Sequence, residues 1–204
     1  MTSLPRPVAP PTAGIIRDGH IPSMWTRVAA IAMDRTRIGV VWIAISRVDD
    51  IAHLYSEYVA PLGALPVHAD AIRGRGAWIP VLVDAHAFGR SKEEATALLI
   101  RLANLNLNLF EGVQDDEAGI SDIVGRYQQG RLKVFGSCRE WLRERQTYRR
   151  GLDGKLPAEG FHLIRATGLA LGPGVGIAVS ERKAVSDEEG YDPSDSTRNS
   201  VTGY

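Results

Sequence analysis

Two aspartates each close a short apolar run, and that placement is the first sign of chemistry in the chain. Asp34 follows VAAIAM (residues 28–33), and Asp84 follows WIPVLV (residues 78–83). Runs of this length read as buried strands, and a carboxylate at the end of one stands at the mouth of a sheet. If the two strands are neighbours, the carboxylates converge on one edge. Such a pair suits Mg²⁺ or Mn²⁺, hard cations that keep several waters and bridge phosphate oxygens. Two ions roughly 4 Å apart would clamp the attacking and leaving oxygens of a phosphodiester displacement. A turn-forming role for Asp84 fits the same spacing.

A second feature is charge. The whole chain balances 24 basic against 24 acidic residues, so its net charge names no partner. Residues 126–155 do not balance: nine are basic, among them Lys133, Arg139, Arg143, Arg149 and Arg150, and three are acidic. An Arg-rich face suits the phosphate backbone of DNA. The alternative is a solvated helix face laced with short-range ion pairs. Tyr127, Trp141 and Tyr148, interleaved with the arginines, fit a core better than a base-stacking platform.

These groups need elements to hold them. Strands at 28–33, 39–46 and 51–59 follow in close succession and suggest an antiparallel meander. Leu65, Ala69 and Ile72 then fall on one helical face, with Pro66 in the first turn. Ser91 and Glu94 form a capping box ahead of Ala95, Leu98, Leu99 and Leu102. A short strand at 107–110 precedes a helix carrying Ile120, Ile123, Val124 and Tyr127, closed by Gly130. Residues 131–135 read as an extended, hairpin-like piece. Ser137 and Glu140 make a second capping box, for a helix reaching about Arg149 with Cys138, Trp141, Leu142 and Tyr148 inward. Pro157 opens a last helix through Leu169, weakened by glycines at 168, 172, 174 and 176.

The order is that of one mixed α/β domain, residues 24–184. It follows a proline-spaced leader expected to be flexible (1–23) and precedes an acidic tail expected to be disordered (185–204). A single cysteine, Cys138, rules out an internal disulfide and suits a reducing, cytoplasmic setting. No apolar run approaches ~18 residues, so no membrane span is expected. There is no GxxxxGK[ST] phosphate loop, which excludes an NTP-driven motor of that kind. His20, His53, His68, His86 and His162 show no metal-ligand spacing.

Four segments carry a resemblance. IPSMWTRVAAIAMD, VHADAIRGRGAWIPVLVDAHAFGRS, DDEAGISDIVGRYQQGRLKVFGSC and REWLRERQTYRRGLDGK occur in that order. Together they resemble the C-terminal nuclease domain of phage terminase large subunits, over about residues 21–166. The resemblance implies an RNase H-like α/β fold, a mixed central sheet flanked by helices. It also implies a metal-dependent endonuclease that cuts double-stranded DNA during genome packaging in the bacterial host cytoplasm, encoded by a phage or prophage. Mg²⁺ or Mn²⁺ would be the cofactor. A terminase small subunit, a portal protein and a separate ATPase subunit would be partners, since the family's ATPase half has no counterpart here.

By the same resemblance Asp34 is the first catalytic and metal-binding aspartate and Asp84 the second. The third departs. Where the family reads approximately D-H-L-M-D-A, this chain has Phe161, His162, Leu163, Ile164, Arg165 and Ala166. His162, Asp153 and Glu159 are the substitute ligands the segment offers, with nothing in the spacing to favour one strongly. Two aspartates supply two negative charges against the four of two divalent cations. Weak or absent cleavage is the expectation, and a catalytically inactive DNA-binding or packaging-assembly remnant is the alternative.

Overall fold

The computed structural model describes residues 14–84, 91–113, 115–151, 154–157 and 160–181. The turn at 85–90, Asp153, Glu159 and the acidic tail all lie outside them.

The three-strand meander forms as expected: β2 (Thr26–Met33), β3 (Arg37–Ser46) and β4 (Ile51–Pro61) pair antiparallel in turn. A bulge interrupts the β3–β4 register between Trp42 and Ile43. Around the meander lie β1 (Ile15–Ile16), β5 (Val81–Val83), β6 (Leu109–Glu111), β7 (Leu132–Phe135) and β8 (Val179–Ser180). The sheet order is β1-β7-β4-β3-β2-β5-β6, with β8 on the free start of β2. Every strand of that path except β3 runs in one direction. Residues 131–135, read as hairpin-like, instead make a parallel strand between β4 and β1. A four-residue stretch carries no signal of which strand it will join. Ile15–Ile16, within the expected leader, are the residues that pair with it.

β2 is buried almost throughout because helices cover both faces of the sheet. Its alternation divides the core. Val28, Ala30 and Ala32 face the layer of α3 (Asp116–Gln128), α4 (Arg139–Thr147) and α5 (His162–Leu171). Ala29, Ile31 and Met33 face α1 (Leu65–Arg73) and α2 (Lys92–Ala103). The short α6 (Gly174–Ile177) follows α5.

Helix starts follow local chemistry in part. Ser91 and Glu94 form the expected capping box at α2, both bonds being made. At α4 the expected Ser137–Glu140 box does not form: Cys138 is the N-cap and contributes no side-chain bond. A strand residue does the capping instead. Glu57 Oε1 accepts from the Glu140 amide at 2.9 Å, and Oε2 from the Trp141 amide at 2.8 Å. The helix expected from Pro157 begins instead at His162, as α5, after Phe161 in the left-handed region at φ 53°. Among the described residues no helix is long and apolar enough to cross a membrane.

Candidate functional site

The register of β2 on β5 decides whether the two strand-ending aspartates meet. These strands are neighbours and parallel, with Ile31 opposite Val83. Asp84 therefore follows at the level of Ala32, and Asp34 lies two residues further along the same edge. Strand alternation gives both the parity of Ala30, Ala32 and Leu82, which belong to the α5 side of the sheet. Adjacent parallel strands thus present two carboxylates at their C-terminal ends, the usual ligand edge of an open α/β sheet.

Asp34 is heavily engaged. Its Oδ1 accepts from the Thr36 amide at 2.6 Å, the Thr36 hydroxyl at 2.8 Å and the Arg37 amide at 2.9 Å. Those bonds close the turn between β2 and β3, which the Asp34 amide completes by donating to the Arg37 carbonyl at 3.0 Å. Asp34 is therefore the acceptor on which the β2–β3 turn is built. Oδ2 meets Nε2 of His162 at 2.8 Å. Burial by itself would raise the pKa of Asp34. The Thr36, Arg37 and His162 bonds outweigh it and hold the carboxyl well below the usual carboxylate range.

His162 reaches Asp34 because the first turn of α5 comes unusually close to β3. Gly39 is the reason: a Cβ there would lie 2.6 Å from that of His162. The histidine side chain is 7% exposed.

The positions matched to the third family aspartate do other work. Phe161 stacks edge-on to Tyr148, centroids 4.8 Å apart. Arg165 pairs with Asp116 of α3 at 2.8 Å, so its charge is neutralised by another helix. Among the described residues no three His, Cys, Asp or Glu side chains converge as a cation site. One or two carboxylates are enough for a single Mg²⁺ or Mn²⁺ when waters and phosphate oxygens complete the shell, so Asp34 and Asp84 are the candidates for one such ion rather than two.

The basic stretch scatters. Arg126 and Arg131 pair with Asp50, at the opposite end of β3 from the Asp34 turn. Lys133 lies on β7 opposite His53, itself opposite Ala44, far down the strands from Ile38 beside the turn. Arg150 is tied to Glu117 and to the Gly154 carbonyl. Arg143 pairs with Glu140, Arg149 donates to the Tyr148 carbonyl, and Arg139 is exposed. Arg145 lies over the Tyr127 ring, 4.0 Å from its centroid. Trp141 is fully buried, as its helical position implied.

Sequence reasoning missed Glu57 and Glu144. From α4, Glu144 Oε2 accepts the Leu163 and Ile164 amides, each at 3.0 Å, and so caps α5, whose own N-cap Phe161 offers no side-chain bond. Burial raises Glu144 to about 7, with the two amides opposing and Glu57 and Glu140 adding to the rise. A signal was present: Glu144 sits three residues beyond Trp141, on the inward face of the helix.

No family model matches the chain, and no curated protein does. Solved structures do. The nuclease domain of the P22 large terminase superposes with a TM-score of 0.76 at 17% identity, over 87% of this chain and 95% of that one. The nuclease domain of the large terminase (g2p) from bacteriophage SPP1, with bound Mn, gives 0.55 at 13%, over 79% and 97%. The large terminase of a thermophilic bacteriophage gives 0.59 at 12%, over 78% of this chain but only 42% of that one. This chain has the fold of a phage large-terminase nuclease domain, an RNase H-like α/β sheet with helices on both faces.

Proposed function

We propose that the chain is the nuclease domain of a phage or prophage terminase large subunit, acting on double-stranded DNA during genome packaging. The observation that carries this reading is the placement of Asp34 and Asp84 at the ends of adjacent parallel strands in a terminase-nuclease fold. The SPP1 domain with bound Mn shares that fold and supports Mg²⁺ or Mn²⁺ as the cofactor here. A terminase small subunit, a portal protein and an ATPase subunit are the partners that follow from this reading, in the host cytoplasm.

Asp34 and Asp84 would hold the cation. Bound there, it would polarise the scissile phosphate and favour ionisation of an attacking water. The chain's own part is to fix the geometry. The Thr36 and Arg37 donors immobilise one oxygen of Asp34, and α5 presents His162 to the other. Loss of one charge-stabilising group from such a site typically costs ~3 kcal/mol in rate, roughly a hundred-fold. Cleavage is therefore slow. Plasmid incubated with Mn²⁺ should be nicked slowly by the native chain and not by the Asp84→Ala variant. Equal cutting by both would remove the proposed site.

A second reading is favoured by Phe161, Arg165 and the Asp34–His162 bond, which together replace acid by apolar, basic and imidazole groups. It is a catalytically inactive DNA-binding or packaging-assembly module. Salt-sensitive DNA binding without a metal requirement and without cutting would select it.

A further inference from the structure

Three carboxylates link β4 to the candidate site through two helix starts. Glu57 on β4 accepts two amides at the start of α4. One helical turn later Glu144 accepts two amides at the start of α5. The first residue of α5, His162, ends the series on Oδ2 of Asp34. Neither helix has a side-chain cap of its own. A helix start carries orphan amide donors and the positive end of the macrodipole, so a carboxylate from another element both satisfies and anchors it. Trp141 adds a second tie between the helices, its Nε1 donating to the Thr167 hydroxyl at 2.8 Å.

Asp34 has little room left for a cation. Three donors occupy Oδ1 and one occupies Oδ2. The imidazole and an incoming ion therefore compete for the same oxygen.

With Asp34 read as a cation ligand, we infer that Glu144 is a positioning residue that holds His162 on Asp34 and thereby weakens cation binding there. The phenyl ring of Phe161, seated on Tyr148, fixes the other side of the same helix start but offers it no acceptor. Among the described residues, Glu144 is the acceptor for the Leu163 and Ile164 amides. Burial, with Glu57 and Glu140 nearby, disfavours its ionised form, while the two amides it accepts favour it.

The test is Mn²⁺ titration by calorimetry of the native chain, His162→Ala, Glu144→Ala, Glu144→Gln and the double variant Glu144→Ala/His162→Ala. Ring ¹⁵N spectra of His162 are recorded without metal. His162→Ala should bind Mn²⁺ roughly ten-fold tighter, since one charge-assisted bond no longer competes. Glu144→Ala should move part of the way, and the double variant no further than His162→Ala alone. Glu144→Gln keeps a carbonyl acceptor and should match the native chain. Spectra should show the Nε2 bond loosened in Glu144→Ala and intact in Glu144→Gln. Unchanged His162 spectra in a folded Glu144→Ala variant would overturn the positioning role whether or not Mn²⁺ binds. Absence of Mn²⁺ binding in every variant would instead overturn the cation reading of Asp34, leaving the spectra to decide the role of Glu144.

Discussion

Gly39 and His162 share one space: a Cβ at residue 39 would stand 2.6 Å from the Cβ of His162 and 3.2 Å from its carbonyl carbon. The second contact is backbone, so a rotamer change cannot relieve the clash. Gly39→Ala must push the first turn of α5 away from β3. Such overpacking costs about 1–3 kcal/mol. Urea unfolding should show that loss, and the ring resonances of His162 should report separation from Asp34.

Asp34 stabilises the fold independently of any ion. Its folded pKa is depressed, so its contribution is present above the unfolded value of 3.8 and lost as pH falls through the folded one. Asp34→Ala strips acceptors from the Thr36 and Arg37 amides and from His162. A destabilisation of about 1–3 kcal/mol at pH 7 is expected, shrinking toward acid pH. Urea midpoints of native and variant chains across pH 2–7 measure it. Parallel curves would contradict the turn role.

Glu144 has the opposite sign. Its folded value is raised from 4.5 to about 7, so its ionised form is disfavoured in the native chain. The associated stability is full below pH 4.5 and is lost as pH rises through about 7. The burden at pH 8 is on the order of 3 kcal/mol. Glu144→Gln removes the charge and keeps an acceptor. Its melting temperature should exceed that of the native chain at pH 8 and approach it at pH 5.

The proposed DNA contact, assigned to α4 and the segment after it, is tested by salt dependence. Replacing Arg143 and Arg149 by Glu should lower affinity for duplex DNA and reduce the slope of log K against log salt by about 2. An unchanged slope would place the contact elsewhere. Arg150, committed to Glu117, should show a larger effect on stability than on binding when changed to Ala.

Apolar runs were enough to read β2 and β3 from the chain and alternation enough for β4, and the Ser91–Glu94 spacing was enough for the start of α2. Residues 131–135 were not legible, because parallel pairing with β4 is a long-range choice that no local pattern encodes. Asp34 and Asp84 could be named from strand ends, but their adjacency waits on the β2–β5 register. The Ser137–Glu140 pattern misled for a physical reason. Glu57, 83 residues before Glu140, takes the amide positions that a local cap would fill. Glu144 lay hidden in a run of arginines that reads as a solvated face until its inward phase is noticed.

The hairpin turn that Asp34 closes has a consequence for how such chains change over time. A residue that a fold needs for its own assembly is shielded from drift after its chemistry falls out of use. Asp34 would persist in descendants that no longer cut DNA, because the β2–β3 corner would penalise its replacement. Its presence in a chain is then a sign of folding before it is a sign of cleavage.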